Sequence, residues 1–220
     1  MEIYLQLGDF EAAKKAKDKG TELCNRTLNR QPQHVGANAS IAWMESLFLD
    51  SQGKFKEAEL YHRLEIAWRK KATEVSGPLI RSRQRLIQNL VRQGRVIEAE
   101  YEARLAIKEA LEIEGTESIV VGNALQSMAE VMLAAGRLTD AGKLADAGIS
   151  IKERAGLSND CGAMGSSRMF LGNITTVQHD YQNAMKQYDL AREGLKENLY
   201  LYEKLFTRNR NLILALIKTG

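Results

Sequence analysis

Apolar residues along this chain recur at three- and four-residue intervals, as in Leu86–Leu90 and Leu125–Met128–Met132. That spacing stacks side chains on one face of an α-helix. Each such stretch stops at a punctuating residue, and the stops are regular: Gly8, Gly53, Gly94, Gly136, His179 and Gly220 stand 45, 41, 42, 43 and 41 residues apart. Two residues after each of the first five comes a bulky apolar or aromatic side chain: Phe10, Phe55, Val96, Leu138 and Tyr181. Five after comes an alanine in every copy: Ala13, Ala58, Ala99, Ala141 and Ala184. Twelve after, the residue is small (Gly20, Ala106, Gly148, Ala191) with Glu65 as the exception. Eight before the stop stand Leu86, Met128, Leu171 and Leu212, with Glu45 out of pattern.

Self-similarity at a fixed period marks a stacked array of supersecondary units. A glycine can end a helix in the left-handed backbone conformation without steric cost. The alanine that follows lets the next helix approach closely, and the bulky residue wedges between the two. One such hairpin cannot cover its own apolar face, so neighbours stack. The pattern predicts helices over 2–7, 9–29, 34–52, 54–73, 78–93, 95–113, 117–135, 137–153, 163–178, 180–198 and 200–219, with "AGLSNDCGAMGSS" (155–167) the least regular connection. The expected fold is therefore all-α, an array of about five helical hairpins running through 1–220 as a single domain.

Composition agrees. Only Pro32 and Pro78 interrupt a chain dominated by helix formers. Apolar residues at 44% and charged residues at 27% describe a globular chain, and a formal net charge of +3 does not by itself call for nucleic acid. Cys24 and Cys161 lack CxxC spacing and are expected as reduced thiols. The N-terminal "MEIYLQLGDFEAAKK" has no long apolar run, and no stretch approaches a membrane span, so a cytoplasmic location is the expectation.

The glycine turn, the bulky residue after it and the alanines at Ala13, Ala58, Ala99, Ala141 and Ala184 resemble the tetratricopeptide repeat family. That family's usual period is about 34 residues. Here it averages about 42, which is similar to the longer repeats of kinesin light chains and of many bacterial regulatory proteins. The resemblance implies a right-handed α-α superhelix whose first helices line a concave groove. On this chain those would be the helices near 34–52, 78–93, 117–135, 163–178 and 200–219. It also implies a scaffold that holds a protein or peptide, without catalysis or cofactor.

Within those inner helices, "PLIRSRQRLIQNLVRQ" (78–93) carries four arginines and no acid. Arg81, Arg85, Gln88 and Arg92 fall at intervals of four, three and four, on one stripe of the helix. A guanidinium offers a planar fork to a carboxylate, which points to an acidic peptide or a chain-terminal carboxylate as partner. The same stripe would be a solvated face if glutamates of neighbouring helices balance it. Gln84, Asn123, Gln126, Asn173, Arg210 and Asn211 are further polar groove candidates, and Trp43 and Leu47 are apolar anchors or interhelix packing. Tetratricopeptide proteins that clamp acidic chaperone tails need Lys and Asn where this chain has Trp43 and Leu47, so a chaperone partner is disfavoured. Few aromatics interleave with the arginines, which disfavours RNA.

Catalytic signals are sparse. His34, His62 and His179 lack metal-ligand spacing, Cys161 has no histidine near it in sequence, and "GAMGSS" lacks the lysine of a phosphate loop. The first turn glycine follows Met1 closely and Gly220 is itself a turn glycine, so the chain is expected to start and end inside a repeat. Two expectations attach to that. Bare Leu212, Leu214 and Leu216 would favour self-association. Alternatively the chain is the sensor or regulatory arm of a larger bacterial protein, a caspase-like protease or a helix-turn-helix regulator.

Overall fold

The computed structural model describes residues 1–72 and 77–194. These form ten helices: α1 Glu2–Gln6, α2 Phe10–Leu28, α3 Val35–Ser51, α4 Phe55–Arg69, α5 Gly77–Arg92, α6 Val96–Glu114, α7 Ile119–Ala134, α8 Leu138–Arg154, α9 Gly162–Val177 and α10 Tyr181–Gly194. No strand occurs among the described residues. Arg210, Asn211 and the helix expected over 200–219 lie outside them, as do Leu212, Leu214 and Leu216. The chain divides into two compact units, Met1–Glu109 and a second beginning at Ala110, and the division falls inside α6.

Every turn glycine among the described residues has the left-handed backbone that the period requires. Gly8, Gly53, Gly94 and Gly136 have φ between +73° and +75°. A Cβ built on any of them meets nothing within 4 Å, so the requirement there is conformational rather than spatial. His179 holds the same place in the fifth copy at φ +63°, the one positive-φ side-chain residue described, and its Nδ1 lies 2.8 Å from the Tyr181 hydroxyl.

The alanines explain the pairing. Ala13, Ala58, Ala99, Ala141 and Ala184 are all fully buried. Opposite them the preceding helix buries Leu86 and Leu90 on α5, Met128 and Met132 on α7, and Leu171 and Ile174 on α9. Helices pack on their sequence neighbours: α1 on α2, α2 on α3, α3 on α4, α4 on α5, and in the second unit α7 on α8, α8 on α9 and α9 on α10. The small residue at Gly148 permits a close approach of α7 and α8. A Cβ there would sit 2.8 Å from the Gly122 carbonyl oxygen, and a Cβ on Gly122 would sit 2.8 Å from that of Gly148. Helix starts are capped locally by Asp9, His34 and Ser118, whose side chains accept from the amides of Ala12, Ala37 and Val121.

Both residues that broke the sequence pattern are held by opposite charges. Glu45 accepts from Lys17 Nζ at 2.6 Å. Glu65, fully buried where other copies have Gly or Ala, accepts from Ser82 Oγ and from Arg85, each at 2.7 Å, with Arg69 at 3.6 Å. A charge at a position meant for a small apolar residue is tolerated because α4 and α5 supply its counter-ions.

Candidate functional site

The four arginines of α5 separate into two classes. Arg83 is 3% exposed and clamped by α6: Glu109 accepts from its Nε and from an outer nitrogen, each at 2.6 Å, and Glu102 accepts from the other. These carboxylates hold its proton more firmly than usual, against the cost of burial. Arg85 is half-buried on Glu65, and its guanidinium carbon stands 5.9 Å from the centre of the Trp43 ring. Burial is the largest influence on Arg85 and lowers its pKa, opposed by Glu65. Arg81 and Arg92 are exposed, and neither has an ion-pair partner among the described residues. Arg92 lies over the Phe55 ring at 6.0 Å. Gln88 is exposed on the same stripe, and Gln84 is half-buried.

The remaining candidates are partly engaged in packing. Trp43 and Leu47 are half-buried on α3, and Trp43 Nε1 is buried without an acceptor. In the second unit, Gln126 Oε1 accepts from Lys152 Nζ at 3.0 Å and from Ser167 Oγ at 2.9 Å. Asn173 Oδ1 accepts from the Tyr188 hydroxyl at 2.7 Å. Asn123 is half-buried, and its carbonyl accepts from Ser127. The structure thus brings Trp43 and Arg85 together in the first unit and leaves Arg81 and Arg92 open on one stripe, with Gln88 exposed between them.

Several polar residues enter this picture to which the sequence reading gave no role. His62 is fully buried with Nε2 2.8 Å from Asp50 Oδ2, and Asn89 donates to the other oxygen of that carboxylate at 2.7 Å. Gln93 links Asn89 to Glu59, and Glu59 in turn receives Arg63 and Arg95. The Asp50–His62 pair has the chemistry of a proton-transfer dyad, but its imidazole is sealed from solvent, and its role here is to join α3, α4 and α5. Lys152 is a second surprise: it is 2% exposed and reaches only the neutral oxygens of Gln126 and Ser167. Burial lowers its pKa to about 8, against weaker opposing pulls from Cys161 and Glu130. Cys24 and Cys161 are free and half-buried. No group of three or more His, Cys, Asp and Glu side chains among the described residues could hold a metal ion. No described helix is long and apolar enough to cross a membrane.

Comparison with solved structures decides what kind of array this is. The putative kinesin light chain of Podosopora anserina, with nearly identical tetratricopeptide-like repeats, superposes with a TM-score of 0.56 over 90% of this chain and 92% of that one, at 16% identity. The fold is the tetratricopeptide type. BtubC (BKLC) from P. vanneervenii matches with a TM-score of 0.68 and 16% identity, covering 96% of this chain and 90% of that chain. The apo form of RapI matches at 0.64 and 12% identity over all of this chain and 85% of that one. No family model matches the sequence. No curated protein matches it either. The likeness therefore lies in the backbone rather than in the residues.

Proposed function

We propose that this tetratricopeptide-type array is a protein-interaction scaffold that holds an acidic peptide or protein segment, without chemistry of its own. The observation that carries this reading is the division among the α5 arginines. Arg83 and Arg85 have their own carboxylates, whereas Arg81 and Arg92 stand exposed on one stripe with Gln88 between them and no acid of the described residues paired to them. Exposed arginines lacking an internal partner supply planar donor forks for a partner's carboxylates at little desolvation cost. Trp43 beside Arg85, with Leu47 one turn further along α3, adds an apolar anchor in the same unit. Gln84 contributes an amide from α5 in that unit, while Asn123, Gln126 and Asn173 offer amides on α7 and α9 of the second unit.

The deciding experiment is affinity capture from lysate of the source cell, with the Arg81→Glu/Arg92→Glu variant beside the native chain. Arg85 is left in place because its loss would strand Glu65 and confuse unfolding with lost binding. The charge-reversed chain is expected to keep its helical circular dichroism and to lose the partners that the native chain retains. An identical set of captured proteins sinks the reading.

A further inference from the structure

Arg168 on α9 and Arg83 on α5 occupy the same place in the repeat, each eleven residues before its turn residue, His179 or Gly94. Arg83 is filled by Glu102 and Glu109, which stand eight and fifteen residues after Gly94. At eight and fifteen residues after His179 the chain has Gln187 and Gly194 instead. Arg168 therefore meets a neutral amide, Gln187 Oε1, at 3.3 Å and a single carboxylate, Glu153 of α8. Its Nε is buried with no acceptor. The acids that clamp the earlier arginine are missing from this one.

Above Arg168 runs an open groove of about 630 Å³ between α8 and α10, with α9 as its floor. Lys143 and Lys186, each seven residues after its turn residue, stand exposed on the two walls. Neither has an ion-pair partner among the described residues. The corresponding position is Lys15 on α2, Leu60 on α4 and Tyr101 on α6, so lysines on two successive second helices occur only at this groove. Half-buried Leu190 provides apolar surface, and Asp146 is the acid among its described lining residues. The α9 stripe from Arg168 to Gln178 is about 15 Å long at 1.5 Å per residue. That matches roughly four or five residues of extended chain.

We propose that this groove docks an acidic segment of a partner protein, with one Asp or Glu side chain taking on Arg168 the place that Glu102 takes on Arg83. Lys143 and Lys186 receive flanking acids from the two walls, and Leu190 packs against an apolar residue between them. The length of the groove and the apolar side chain of Leu190 on its wall favour a peptide over an isolated anion. The site is separate from the α5 stripe and does not depend on it.

The test is fluorescence anisotropy on the full chain at low salt, with a labelled short peptide that alternates leucine with aspartate and glutamate. The native chain is expected to bind it saturably and to ignore a version with lysine in place of the acids. Lys143→Glu/Lys186→Glu is expected to weaken binding about tenfold or more, since both wall cations become repulsive. Gln187→Glu supplies the missing internal carboxylate and is expected to weaken binding comparably while thermal stability holds or rises, since the Asn183 amide can turn to donate to it. Arg81→Glu/Arg92→Glu is expected to leave this affinity unchanged, which separates the groove from the α5 reading. Three results overturn the proposal: no binding by the native chain, binding indifferent to both the Lys143/Lys186 and the Gln187 changes, or displacement of the peptide by single-stranded RNA at equal strength.

Discussion

Two glycines of one repeat show how differently the same residue type can be required. Gly136 has φ +74° and open space around its missing Cβ, whereas Gly148 has another backbone 2.8 Å from where a Cβ would be. His179 shows that a side chain fits the first kind of place if the backbone cost is met. Gly136→Asn is therefore expected to cost about 1 kcal/mol or less, because Asn tolerates the left-handed region. Gly148→Ala is expected to cost about 2–3 kcal/mol, because the helices must part. Urea unfolding of both variants checks the order; a larger loss at Gly136 contradicts it. Lys152 is the other residue whose surroundings set its behaviour. The folded chain releases its proton near pH 8, whereas the unfolded chain holds it to 10.5. Between those values the unfolded state binds more protons, so stability rises with pH, by on the order of 3 kcal/mol across the window. Lys152→Met is expected to flatten that rise and to stabilise the chain below pH 8, because Ser167 continues to donate to Gln126. A pH profile of denaturant midpoints that still climbs in the Met variant assigns the rise to another group.

At the scale of elements, polar contacts join helices alongside the apolar stripes. Glu65 joins α4 to α5 through Ser82 and Arg85, and Glu102 with Glu109 joins α6 to α5 through Arg83. Removing one partner of a buried pair leaves the other uncompensated, so Glu65→Ala is expected to cost about 3–5 kcal/mol. Glu65→Ala combined with Arg85→Met is expected to recover part of that loss. A double-variant loss equal to the sum of the Glu65→Ala and Arg85→Met losses, measured by denaturant titration, would mean that the two side chains are not coupled. Much of this scale was legible beforehand. The helix boundaries fall within a few residues of those expected from the period, and α9 starts at Gly162 rather than 163. The stripe of Arg81, Gln88 and Arg92 was visible from spacing alone. The capture of Arg83 and Arg85 was not, because periodicity gives a residue's face but not the charge of the helix packed against that face. The exception at Glu65 was the one local signal, since an acid at a small-residue position must find a cation or be expelled.

For the whole molecule, packing between sequence neighbours makes stability a sum of local terms. In hydrogen exchange, Glu65→Ala is expected to quicken the amides of α3, α4 and α5 and to leave those of α9 and α10 unchanged. Uniform acceleration along the chain would mean a single cooperative block instead. The sequence by itself determined the hairpins, their period and the tetratricopeptide-type fold, because a left-handed turn and a close helix contact are demands on individual residues that only Gly and Ala meet cheaply. Tertiary structure decided which charges remain available to a partner. Arg83 and Arg168 are equivalent by register, yet one is saturated by two carboxylates and the other faces an amide and a groove. That difference depends on residues 19 to 26 positions away in the chain, brought within hydrogen-bond distance only when the helices pack.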